Sequence, residues 1–159
     1  MEKELFCRIE FFKDSSDLEK EKEYKSESTE NDEKIIERIV KQGGIQTPDG
    51  WIVPGDLDLS FMKITLLPKL YIVGGDFVIS YNYLQNLING PIIVGKSYFC
   101  HGNKLTSITG CAKIIGGDFY AANNHLVGSN LMDYRPKFLG GYFDCSYQTI
   151  CKQREERKQ

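Results

Sequence analysis

The chain has 159 residues, of which 41% are hydrophobic and 26% charged, with a formal net charge of −2. Such a balance suits one soluble domain with a continuous core. It excludes disorder throughout, nucleic-acid binding by counterion release, which needs a basic face, and convincing mimicry of DNA.

In chain order, Leu5, Cys7, Ile9 and Phe11 alternate with Phe6, Arg8, Glu10 and Phe12, which predicts a strand apolar on both faces. Residues 13–30 are charged and serine-containing, a linker or an exposed helix around Leu18 to Tyr24. Ile35, Ile36, Ile39 and Val40 then fall on one helical face, with Asn31 as N-cap and Gly43-Gly44 as the stop. This helix is expected to cover the first coil of a repeat region that begins at residue 46. Residues 1–45 hold nine basic and thirteen acidic side chains, whereas 46–151 hold seven of each.

From residue 46 the chain repeats itself. Val73-Gly74-Gly75-Asp76-Phe77 returns as Val94-Gly95-Lys96-Ser97-Tyr98, as Ile115-Gly116-Gly117-Asp118-Phe119 and as Leu139-Gly140-Gly141-Tyr142-Phe143. Asn82, Asn103 and Asn124 align at a period of 21 residues. Around them run the columns Ile79, Cys100, Ala121 and Leu84, Leu105, Leu126, with Leu87 and Ile108 behind. A degenerate first copy spans Val53 to Ser60, with Met62 at the asparagine position, and a partial last copy has Gln148 there. One such unit cannot bury its own apolar face, so the copies must stack into a solenoid with atypical ends.

Within a copy, the glycine pair predicts a sharp turn and a short strand after it. Alternation sends Phe77 and Ile79 inward and Asp76, Val78 and Ser80 outward. The asparagine leaves the strand, where its amide can satisfy backbone groups stranded by the bend. The return, such as Leu105 to Gly110, is too short for a regular helix and predicts loops or brief 3-10 turns. The fold class expected is therefore a mainly β repeat solenoid with one parallel sheet. Its regions are an N-terminal strand, charged segment and capping helix (1–45), a solenoid of about five copies (46–151) and a charged tail (152–159).

The spacing of apolar residues about the asparagine resembles the leucine-rich-repeat core, with the glycine pair replacing its first leucine step. More narrowly, Gly74 to Phe77, Leu105-Thr106-Ser107-Ile108 and Ile115 to Phe119 are similar to a leucine-rich-repeat-like family common in bacteriophage genomes. The lead-in Asp49-Gly50-Trp51 to Ser60, followed by Leu67-Pro68, resembles that family too, so the likeness covers about residues 49–151. It implies a bacteriophage origin and a fold, not an activity. Two departures stand out: Lys96-Ser97 replaces Gly-Asp, and an insertion at Val127 to Pro136 lengthens the last copy.

Catalytic motifs are missing from the sequence. Cys100 and His101 are strand neighbours and point to opposite faces, so they cannot form a dyad. A hydrolase using His101 or His125 with a nearby carboxylate is the enzymatic alternative to a binding protein. The cysteines lack zinc-ligand spacing, and the Asp56, Asp76, Asp118 column is interrupted by Ser97 and Tyr142, which rules out a continuous ion ladder. No metal or cofactor is expected.

The outward strand face carries the sharper signal. Val78, Phe99 and Tyr120 form a row bracketed by Asp58 and Asp144, with Tyr81, Tyr83, His101 and Tyr147 nearby. A single-sheet solenoid needs no apolar residues outside, and aromatic rows anchor interfaces. These seven residues are the candidate partner-binding set, and Asn82, Asn103 and Asn124 the structural ladder. The function expected is non-catalytic protein binding, to a host or phage protein; for a phage protein this means blocking or redirecting a host target, including anti-defence or anti-CRISPR action. Self-assembly through the exposed stripe is a structural alternative. No nucleic-acid or membrane partner is expected, and a monomer is favoured.

The start of the sequence does not resemble a signal peptide, no stretch approaches a membrane span, and five cysteines without a pairing pattern fit reduced thiols. A cytoplasmic location is expected.

Overall fold

Each repeat has an apolar run on either side of its glycine pair, and both runs become strands. The structure, a computed structural model, describes residues 30–128 and 131–148. It divides into two compact units, Met1–Lys34 and Ile35–Gln159. Of the first, residues 30–34 are described, with Lys34 Nζ 2.8 Å from Glu30 Oε1. The expected strand at 5–12, the segment before residue 30 and the tail at 152–159 lie outside the described residues.

Residues 30–41 are helical (α1). Residue 30 is already in the helix, so Asn31 is an interior position and not the N-cap. The C-terminus follows the expectation. Gly43, at φ +88°, donates to Val40 O and Gly44 to Ile39 O, the paired bonds that close a helix through a left-handed glycine. Ile35 and Ile39 join the core, whereas Ile36 and Val40 remain exposed.

After α1 come β1 (Ile45–Thr47), β2 (Gly50–Val53), β3 (Leu57–Asp58), β4 (Leu70–Val73), β5 (Phe77–Val78), β6 (Ile93–Val94), β7 (Tyr98–Phe99), β8 (Ile114–Ile115), β9 (Phe119–Tyr120), β10 (Phe138–Leu139) and β11 (Phe143–Asp144). They build two sheets, β1-β2-β4-β6-β8-β10 and β11-β9-β7-β5-β3. Only β1 is antiparallel, a hairpin partner of β2. The expected single sheet is thus corrected to two: the residues before the glycine pair, which the sequence reading assigned to no strand, are themselves a stacked parallel ladder. The returns are loops and turns, and the insertion of the last coil carries a 3-10 turn at Met132–Tyr134.

The core lies between the sheets. One side supplies Val53, Val73, Val94 and Ile115, the other Leu57, Phe77, Tyr98 and Phe119, all fully buried. At about 2 kcal/mol for each such side chain, stacking is what stabilises coils too short to stand alone. Tyr98 packs between Phe77 and Phe119 with centroid distances of 4.9 and 5.4 Å.

The glycine pair serves a different purpose from the one its sequence suggests. Gly74, Gly75, Gly95, Gly116 and Gly117 do not adopt the left-handed conformation. Instead a Cβ on Gly95 would run into Gly74 O, one on Gly116 into Gly95 O, and one on Gly75 into the Asp56 carboxylate of the preceding coil. The constraint is close approach between coils.

Two hydrogen-bond ladders stitch the coils. Asn82 Oδ1 accepts the N–H groups of Met62 and Ile64, and its Nδ2 donates to Leu59 O and Ile79 O. Asn103 and Asn124 repeat the pattern, and Gln148 continues it, accepting from Leu126 and donating to Ala121 O and Cys145 O. A second ladder runs down the corner: Asp56 Oδ1 accepts Asp76 N–H, Asp76 Oδ1 accepts Ser97 N–H, Ser97 Oγ accepts Asp118 N–H and Asp118 Oδ1 accepts Tyr142 N–H. The acidic column is therefore a set of backbone acceptors, and Ser97 keeps it continuous.

Candidate functional site

The outer face of the β3–β11 sheet is set by register. Asp58, Val78, Phe99, Tyr120 and Asp144 pair in succession, so they stand in one row. Val78, Phe99 and Tyr120 are half-buried, because each is partly covered by its neighbours. Phe99 and Tyr120 stack at 5.0 Å and 8°. Tyr120 Oη donates to Asp118 Oδ2 at 2.8 Å, which fixes the ring. That bond holds the tyrosine pKa above its ordinary value, while Tyr142 N–H and then Tyr120 Oη hold the Asp118 carboxyl below its own.

Beside this row the chain turns. Phe61, Tyr81, Gly102, Asn123 and Tyr147 each precede the ladder residue of their coil, and all five have φ between 53° and 70°. The bend requires the left-handed region. Gly102 and Asn123 are the residue types that adopt it at little cost, whereas a bulky L-residue there is disfavoured by about 1–2 kcal/mol. Three coils nevertheless place an aromatic ring at this position, 73%, 50% and 80% exposed for Phe61, Tyr81 and Tyr147. Burial does not compensate for the strain.

Phe61 and Tyr81 stack at 4.7 Å and 14°, and His101 meets Tyr81 edge-on at 5.1 Å. Gly102 makes room: a Cβ there would stand 2.6 Å from Tyr81 Cδ1. Ser60, Phe61, Val78, Tyr81, Phe99 and His101 line a shallow groove of about 350 Å³, with Ser80 at its floor.

Ser80, expected on the open face, is 2% exposed because these rings cover it, and its Oγ lies 3.1 Å from His101 Nδ1. Among the described residues no carboxylate bonds the His101 ring. Desolvation at the groove lowers the His101 pKa, which favours the neutral imidazole. Cys100 is fully buried, and burial pushes its thiol pKa well up, as it does for Cys111, to about 12. Among the described residues no cluster of His, Cys, Asp and Glu could hold a metal ion, and no helix is long and apolar enough to cross a membrane.

The groove thus brings together Val78, Phe99, Tyr81 and His101, and the Phe99 stack adds Tyr120. Tyr83 stands beyond the ladder, where Lys104 Nζ lies 4.9 Å from its ring centroid. Tyr147 belongs to the last coil, and Gly102 and Asn123 separate it from Tyr81 in the bend column. His125 is half-buried beside the ladder.

Two features escaped sequence reading. Phe61 completes the groove, and its alignment with Tyr81 was the available signal. On the other sheet Ile52, Ile72, Ile93, Ile114 and Phe138 pair in an outward apolar row of their own. The apolar residue immediately before each inward Val or Ile pointed to it.

No protein-family model matches the chain, and no curated protein or solved structure matches it either.

Proposed function

We propose that the chain is a non-catalytic protein-binding module whose contact surface is the groove at Phe61, Tyr81 and His101 with the adjoining Val78, Phe99 and Tyr120 row. The observation that carries this reading is the placement of exposed aromatics at left-handed bend positions, where Gly102 and Asn123 serve other coils without strain. Rings held by stacking and by the Tyr120–Asp118 bond lose little rotamer entropy when a partner covers them, which suits interface anchors. The absence of a carboxylate on His101 among the described residues supports a non-catalytic role. The resemblance to phage repeat proteins supports a host protein as partner, blocked or redirected on binding in an anti-defence or anti-CRISPR manner.

The test is a triple variant, Phe61→Asn, Tyr81→Asn and Phe99→Ser, in which asparagine suits the bend. Its binding to a partner purified on the wild-type chain is measured by calorimetry. Loss of binding by a variant that unfolds at no lower urea concentration than the wild type supports the reading. Undiminished binding, or equal loss on changing Ile72 and Ile93 to Ser on the opposite sheet, removes it.

A further inference from the structure

The two ends of the solenoid are finished differently. At the first coil, Gln42 takes the place of a neighbouring strand on the β3 edge: Nε2 donates to Asp58 O at 3.0 Å and Oε1 accepts Asp58 N–H at 2.8 Å. The β2 edge of that coil is paired with β1. Ile35 and Ile39 belong to the core there, and Val53, Leu57 and Leu59 are fully buried. At the last coil the equivalent interior positions, Leu139, Phe143 and Cys145, are only half-buried.

The backbone shows the same asymmetry. Phe119, Ala121 and Asn123 donate their N–H groups forward to Tyr142 O, Asp144 O and Ser146 O. The corresponding donors of the last coil, on Phe143, Cys145 and Tyr147, have no acceptor among the described residues. Phe138, Tyr142 and Tyr147 of the same coil are 57%, 80% and 80% exposed. An open edge flanked by exposed aromatics is a template for strand pairing.

We propose that this last coil docks on the last coil of a second copy of the chain, giving an end-to-end dimer about a two-fold axis. A head-to-tail stack does not match: Gln42 already holds the outward backbone groups of β3, and β1 runs antiparallel to the coil strands, so the first coil does not offer β10 and β11 the parallel edges that they pair with inside the solenoid. The remaining surface is complementary to itself. About a two-fold axis β11 and its symmetry mate run antiparallel, and a strand residue that projects its N–H outward projects its C=O the same way. Among the described residues of this coil Asp133 and Asp144 balance Arg135 and Lys137, so the coil itself carries no net charge to oppose its own copy. The closed symmetry ends assembly at two chains and leaves the groove outside the contact. The inference departs from the monomer favoured by sequence and does not depend on the groove's function.

The experiment is sedimentation of the full chain from about 1 μM to about 500 μM, with amide hydrogen exchange at both limits. The expected result is a shift from 18.2 kDa to twice that mass. The Phe143, Cys145 and Tyr147 amides should exchange at least about tenfold more slowly at the upper limit. The variant carrying Phe138→Lys and Tyr142→Lys, both at exposed positions, should remain at 18.2 kDa throughout, and the groove triple variant should still dimerise. The proposal is overturned by a monomer at every concentration, by an undiminished dimer of the lysine variant, or by loss of the dimer in the groove variant. Equal protection of the three amides at both limits would also overturn it, since the chain would then cover its own edge.

Discussion

Asn103 Nδ2 donates to the carbonyl of Ile79, one coil back, at 3.0 Å, and to that of Cys100, in its own coil, at 3.1 Å. Its Oδ1 accepts Leu84 N–H at 3.1 Å, so one buried side chain satisfies three backbone groups that the bend would otherwise leave without partners. Asn103→Leu keeps the volume and removes all three bonds. The expected loss is about 2–4 kcal/mol in urea unfolding, the cost of burying unpaired polar groups in a well-packed site. A change below about 1 kcal/mol would mean that the ladder is not what holds the coils in register.

The corner glycines give a sharper contrast. Gly116 has the carbonyl of Gly95 where a Cβ would go, and Gly55 has open space. Gly116→Ala should therefore force adjacent coils apart and cost about 2–3 kcal/mol, like other overpacked sites. Gly55→Ala should stay within about 0.5 kcal/mol of the wild type, as exposed substitutions do. Equal effects in thermal unfolding would argue that the glycines act through backbone freedom and not through coil spacing.

Much of this fold was readable because a solenoid writes its interior in columns. Phe77, Tyr98 and Phe119, or Leu84, Leu105 and Leu126, align by counting alone, and each is buried. The second sheet was harder to see. Its two-residue strands, Ile93–Val94 and Ile114–Ile115, are apolar on both faces, and so brief a run shows no period. The groove was half legible: Val78, Phe99, Tyr81 and His101 follow from alternation and alignment. What the bend demands of Phe61 and Tyr81 is a backbone property, and no residue type signals it when an aromatic stands where glycine or asparagine would serve.

His101 should make stability depend on pH. Desolvation lowers its pKa in the folded chain, so the native state resists a proton that the unfolded chain accepts. The stability this group contributes is complete above the unfolded imidazole value, and it is lost as pH falls through the lower folded one. Urea midpoints should therefore fall as pH drops below the ordinary imidazole range, and His101→Gln should flatten that slope. An unchanged slope in the variant would show that His101 is not the group responsible.

Tyr98 offers the opposite kind of change, a single substitution expected to strengthen the chain. Its ring fills the column between Phe77 and Phe119, yet its hydroxyl is fully buried and has no hydrogen-bond partner among the described residues. Burial raises its pKa well above the ordinary phenol value, so the group remains an unpaired neutral hydroxyl at any physiological pH. Tyr98→Phe removes that hydroxyl and keeps the ring contacts at 4.9 and 5.4 Å. Against the desolvation cost of an unsatisfied hydroxyl stands only a small void, so stability should rise by about 1–2 kcal/mol. Raised urea and thermal midpoints with unchanged partner binding are the expected result, because Tyr98 faces the core and the groove lies on the other side of its sheet. A fall in stability would instead reveal a partner for the hydroxyl, with the space beside Gly90 the place to seek it, since a Cβ there would come 3.3 Å from that oxygen.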